Sequence, residues 1–153
     1  DSETLAEIAY QSSKTAEIIG LDPKIAMLSF STKGSAKGAM VTKVQDATNL
    51  VHQKYPDLVC DGELQFDAAI VPRVGEAKAP GSAVAGHANV FIFPELQSGN
   101  ISYKVAERLG GFSAIGPVLQ GLAAPINDLS RGCKTEDVYL LAILTAAQAN
   151  MEK

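Results

Sequence analysis

Short apolar runs alternate along this chain with longer segments of helical periodicity, and that alternation leaves few folds open. Ile25-Ala-Met-Leu-Ser-Phe30 and Leu58-Val-Cys-Asp-Gly-Glu-Leu64 are such runs. Asn89-Val-Phe-Ile-Phe-Pro94 is the clearest, apolar without a break as a strand covered on both faces has to be. Leu5, Ile8, Ala9, Ala16 and Ile19 recur at helical spacing, with Thr4 and Glu7 as a capping box and Gly20 as a stop. A second helix is expected over residues 37–55, ending before Pro56, and a short helical piece over 65–71. Residues 74–86, rich in Gly, Ala, Pro and Lys, read as a mobile surface loop. A further helix runs from Asn100 to Leu109 and stops at Gly110-Gly111. The pattern predicts an α/β fold with a largely parallel sheet flanked by helices.

The last segment departs from this pattern. A closing helix is expected from Thr135 to Ala149, and Val138, Leu140, Leu141, Ile143, Leu144, Ala146 and Ala147 make it apolar almost all round. Such a helix needs cover on every side, which 153 residues struggle to supply. The uninterrupted apolar stretches are too short to span a bilayer, and no targeting segment is visible at Asp1. A net charge of -4 argues against broad binding to a nucleic-acid backbone, so an anionic ligand has to be held by a few local cations. Cys60 and Cys133 lack metal-ligand spacing, His52 and His87 stand alone, and no metal site is expected. Two unpaired cysteines suit a reducing cytosol, and Cys133 is expected to be buried and inert.

Three segments carry candidate chemistry. Ser31-Thr-Lys-Gly-Ser-Ala-Lys-Gly38, between a strand and a helix, suits an anion-binding nest with Lys33 as its cation, although its spacing fits a flexible turn with solvated lysines better. It is not a phosphate loop of the Walker type, because Gly34 and Gly38 are too close and Ala39 occupies the place of the lysine. Gln97-Ser-Gly-Asn100 reads as a second strand-to-helix turn, at Gly99. Beyond it Asn100, Lys104 and Arg108 form one polar stripe, and Ile101, Val105 and Leu109 an adjacent apolar stripe that would dock on the sheet. The third segment is Asn127-Asp-Leu-Ser-Arg-Gly-Cys-Lys-Thr-Glu-Asp137. An arginine on a tight turn beside a helix start is suited to an oxyanion, unless Arg131 is tied up in a salt bridge to Asp128 or Asp137. Asp137 by itself is explained as an acid complementing the helix dipole.

These segments resemble the phosphate acetyltransferases (phosphotransacetylases). The stretch from Asn127 to Asp137 resembles their C-terminal signature, and so do Ala26 to Ser35, Asp61 to Asp67, Pro80 to Gly86, Phe91 to Pro94, Gly99 to Lys104 and Arg108 to Gly111. The resemblance covers essentially the whole chain, in order. It implies transfer of an acetyl group between acetyl phosphate and coenzyme A, with CoA as substrate and no resident cofactor. It also implies a two-domain, usually dimeric, cytoplasmic subunit with the site in the cleft between its domains.

By the same match Arg131 is implied to hold the phosphate and the transition-state charge. Ser130 would hydrogen-bond the acyl group, and Asp137 would take the thiol proton. Arg108 is implied as a substrate contact, to which helix geometry adds Asn100 and Lys104, with Gly99 and Lys33 beside them. A thiol with a pKa of about 8.5 needs such a base at neutral pH. A carboxylate in a first helical turn is favoured in its charged form and is a weaker base, so Asp137 would align the thiol as much as deprotonate it.

Subunits of that family are roughly twice as long. Residues 1–115 would then be the second domain, and 116–153 a segment returning to complete a first domain that is otherwise missing. The alternatives are a butyryl-transferring relative, a non-catalytic acetyl-CoA-sensing domain such as those fused to malic enzymes, and a structural fragment inactive by itself.

Overall fold

The computed structural model describes residues 1–151. Its centre is a three-stranded parallel sheet in the order β2-β1-β3, formed by β1 (Ile25–Leu28), β2 (Cys60–Leu64) and β3 (Val90–Ile92). Ile25 pairs with Cys60 on one side and with Val90 on the other, so β1 is central and wholly buried. The α/β reading with a parallel sheet holds.

Side chains alternate across β1, and each set meets a different layer. Ile25 and Met27 point to α1 (Ser2–Ile18) and α2 (Ala39–Lys54), where they join Leu5, Ala9, Val44, Ala47 and Val51. Ala26 and Leu28 point to the opposite layer, built from α3 (Phe66–Ile70), α4 (Pro72–Lys78) and the loop after it, with Leu64, Ala69, Val84 and Ala85. Small residues dominate this second layer, so backbones approach closely there.

The structure corrects several local expectations. Helix α1 is capped by Asp1, which accepts from the Thr4 amide at 2.7 Å, rather than by a Thr4–Glu7 box. Glu7 instead accepts from Gln11 and from the Tyr55 hydroxyl, at 2.8 and 2.7 Å. The first five residues of the expected mobile loop, 74–78, belong to helix α4. Pro72, with its fixed φ, occupies the first helical turn, and Gly75 is buried against the chain at Ala85 and Gly86.

Helix α5 (Leu96–Gly110) begins before Asn100 because the Glu95 carboxylate caps the Gln97 and Ser98 amides at 2.7 and 2.8 Å. Gly99 therefore lies within a helix, against Phe93, and not in a turn. Nor does the apolar stripe of α5 dock on the sheet: Ile101, Val105 and Leu109 are 61%, 50% and 85% exposed. Both faces of the sheet are already covered by elements formed within residues 1–88.

Residues 111–134 form no helix or strand, and α6 (Thr135–Met151) follows them. Its apolar surface lacks the expected cover. Of its described side chains Leu141 and Gln148 are buried, while Val138, Tyr139 and Ile143 are all more than two-fifths exposed. No helix among the described residues is long and apolar enough to cross a membrane.

Candidate active site

In a sheet with this strand order, ligands bind beyond the carboxyl ends of the strands, where the order reverses between β1 and β3. The loop after β1 lies at that edge. Lys33 adopts a left-handed backbone (φ 48), followed by Gly34 at φ 81, so their amides turn inward together. The nest these amides make is filled by the chain's own Glu63. The Lys33 amide donates to the Glu63 carbonyl at 3.1 Å, and the Gly34 amide to the carboxylate at 2.7 Å. Ser31 Oγ and Gln45 Nε2 complete the set at 2.8 and 3.0 Å.

Glu63 is 2% exposed and has no cation among these partners. Burial pushes its carboxyl pKa up, but the hydrogen bonds from Gly34, Ser31 and Gln45 outweigh it and hold the group below the ordinary range. Asp61 behaves alike. Burial is outweighed by hydrogen bonds from Lys33 and Ser82, and its pKa is lowered too. The Lys33 ammonium is thus engaged by Asp61 and by the Gly62 carbonyl, the latter at 2.8 Å. Single acids in a strand pattern read as solvent-facing, which is why this network was not legible.

The sign of its pH dependence follows. A carboxyl whose folded pKa lies below its unfolded value contributes stability above the unfolded value, about 4 for Asp and Glu. That stability is lost as pH falls through the folded pKa. Melting temperature is expected to drop as pH is lowered from about 6 to about 3, and less steeply in Glu63→Gln, whose side chain has no charge to lose. Parallel slopes for the two proteins in thermal melts would remove Glu63 from this role.

The Ser130–Arg131 turn lies at the start of α6. The Cys133 amide donates to the Ser130 carbonyl at 3.0 Å, closing the turn, and the Gly132 amide reaches Ser130 Oγ at 3.5 Å. Asp137 then starts the helix. Its Oδ2 accepts from the Lys134 amide at 2.7 Å, and its own amide donates to the Lys134 carbonyl at 3.0 Å. This leaves Oδ1 for another partner.

Arg131 is exposed and has no ion pair or hydrogen bond among the described residues, to Asp128 and Asp137 included. A structural salt bridge is therefore not what holds it. Cys133 is exposed, contrary to expectation. Cys60 is the buried thiol, its pKa pushed up to about 12 by desolvation.

On α5, Asn100, Lys104 and Arg108 are exposed. Arg108 Nε lies 3.6 Å from its neighbour Glu107, and the Lys104 ammonium lies over the Tyr103 ring at 5.0 Å. No hydrogen bond or ion pair joins Arg108 or Lys33 to the Ser130–Asp137 segment. The structure places Ser130 and Arg131 on one turn and Asp137 in the first turn of the helix that follows it, and leaves the other candidates on separate elements.

The chain belongs to the phosphate acetyl/butaryl transferase family, whose sequence profile matches residues 1–146. It is 63% identical over 154 residues to the phosphate acetyltransferase of Staphylococcus epidermidis, covering 97% of this chain and 47% of that protein. A phosphotransacetylase structure from Streptococcus pyogenes superposes with a TM-score of 0.95 at 62% identity, over 99% of this chain and 46% of the other. A branched-chain phosphotransacylase from Enterococcus faecalis is more distant, with a TM-score of 0.75 at 25% identity, over 97% and 54% of the two chains. The chain thus spans about half the length of the curated relatives it matches.

Proposed function

We propose that this chain is the C-terminal portion of a phosphate acetyltransferase, and that the complete protein moves an acetyl group between acetyl phosphate and coenzyme A. The observation that carries this reading is the exposed Arg131 guanidinium, unpaired among the described residues, on a closed turn with the Asp137 carboxylate at the head of the following helix. Attack of the CoA thiolate on the acetyl carbonyl builds negative charge on the carbonyl oxygen and then on the departing phosphate. A guanidinium fork and the Ser130 hydroxyl match that charge in geometry and sign. Asp137 Oδ1 is the oxygen that takes or aligns the thiol proton, since Oδ2 is held by the Lys134 amide.

Arg108 is assigned a second phosphate contact, and Gly99, Asn100 and Lys104 line the approach along α5. Lys33 joins them only by exchanging Asp61 for a substrate anion. CoA enters as substrate, with no resident cofactor or metal. Residues 1–115 are read as the second domain and 116–153 as a segment returning to the first. The exposed apolar surfaces of α5 and α6 support that division. The subunit is placed in the cytoplasm as a homodimer.

The test is thioester formation from CoA and acetyl phosphate by the complete encoded protein. Butyryl phosphate used in preference would make it a butyryltransferase. CoA binding without any thioester would favour the sensing alternative.

A further inference from the structure

Asn127 lies three residues before Ser130, and every polar atom of its side chain is committed. Its Oδ1 accepts from the Leu119 amide at 2.8 Å. A backbone N–H can only donate, which fixes the amide so that Nδ2 faces α6. There Nδ2 donates to Thr145 Oγ1 at 2.8 Å and to Gln148 Oε1 at 2.6 Å. The Thr145 hydroxyl spends its own proton on the Leu141 carbonyl at 2.7 Å, so toward Asn127 it can only accept. Both amide protons and one lone pair are thereby used on partners of the matching kind.

The partners share a face. Asp137, Leu141, Thr145 and Gln148 follow at i, i+4, i+8 and i+11 along α6, one stripe of the helix. Leu141 and Gln148 are the members of that stripe buried against the rest of the chain, at 4% and 9% exposure. Thr145 is about 12 Å along the axis from Asp137, at about 1.5 Å per residue. Residues 128–134 must therefore run back along α6 to its N-terminus. They carry Ser130 and Arg131 back toward the end of α6 that bears Asp137. The intervening segment has no helix or sheet to hold it, so these side-chain bonds define where it lies.

We propose that Asn127 is a positioning residue: by clamping the segment before the Ser130–Arg131 turn to the Asp137 face of α6, it sets the turn and the aspartate in mutual register for acyl transfer. It touches no substrate and acts through its three neighbours. The role rests on the acetyltransferase reading, but the clamp itself does not.

The test compares the complete encoded protein with Asn127→Ala, Gln148→Ala and the double variant. Misplacing reacting groups by about an ångström costs on the order of a hundredfold in rate. The expected result for Asn127→Ala is a kcat about ten- to a hundredfold lower, with KM for CoA and acetyl phosphate changed by less than about twofold. The double variant is expected to be no worse than the more damaged single variant. Hydrogen exchange read by mass spectrometry should quicken at the amides of 130–138 and stay unchanged over α1, α2 and the sheet.

An unchanged kcat, a loss confined to KM, additive losses in the double variant, or unaltered exchange at 130–138 would each overturn the proposal. If Asn127→Ala does not fold, Gln148→Ala alone decides, since it removes a clamp partner remote from Asp137. It should lower kcat and quicken exchange at 130–138, and wild-type values for both would overturn the clamp. If the unsubstituted protein forms no thioester, the acetyltransferase reading fails, and exchange at 130–138 still decides whether the clamp exists.

Discussion

Arg131→Ala is expected to lower kcat for acetyl transfer by about two to three orders of magnitude while leaving the fold intact. Removing one donor from a site where charge develops costs about 10²–10³ in rate, and Arg131 is the cation next to Ser130 in the chain. Its exposure and its lack of partners among the described residues mean that the fold gains little from it. The change in stability should therefore stay within about 0.5 kcal/mol, the range of ordinary surface substitutions.

Arg131→Lys should recover only part of the rate, since an ammonium supplies the charge but not the planar fork. The measurement is thioester formation alongside a thermal melt of each variant. Turnover of Arg131→Ala at the wild-type rate would sink the assignment. A large fall in melting temperature would show instead that Arg131 supports the fold.

In the candidate site, Arg131 was legible because it has no evident structural work to do. Arg131 on a Ser-Arg-Gly turn stood out because nothing local requires a guanidinium there, and it has no partner among the described residues. Glu63 was not legible for the opposite reason. Its role depends on Ser31, Gly34 and Gln45, which come from other parts of the sequence and meet only once β1 and β2 pair. The nest after β1 was recognisable, but its occupant was not, since no pattern in Ser31 to Gly38 tells whether the anion is a ligand or the chain's own carboxylate.

The strands and long helices were legible from their apolar spacing. Failures fell where one residue overrides a pattern: Glu95 starting α5 before the periodic stretch, and Pro72 starting α4 within a loop-like composition. The α5 stripe misled differently. Periodicity tells which side of a helix is apolar but not what covers it, and among the described residues nothing does.

Gly75→Ala is expected to destabilise the protein by about 2 kcal/mol, although helix propensity alone predicts the reverse. In an exposed helix interior alanine is worth about 1 kcal/mol more than glycine. Gly75 is instead buried in α4, where an added Cβ would lie 2.6 Å from Ala85 C, 2.6 Å from Gly86 N and 2.9 Å from the Ala68 carbonyl. All three are backbone atoms, so no side chain can rotate away. The Gly86 amide also donates to that same Ala68 carbonyl at 2.8 Å, so moving one strains the other. Overpacking of this kind costs about 1–3 kcal/mol and sometimes more, enough to reverse the propensity gain. At about 2–4 °C per kcal/mol for a domain of this size, the melting temperature should fall by about 4–8 °C. Glu76→Ala, one residue along the same helix and exposed, serves as the control and should move it little. A melting temperature for Gly75→Ala equal to or above wild type would mean that α4 can move off the 85–86 backbone. Lys78 at its C-terminal end, which reaches Gln65 and Asp67 beyond the carboxyl end of β2, would then not be held by packing.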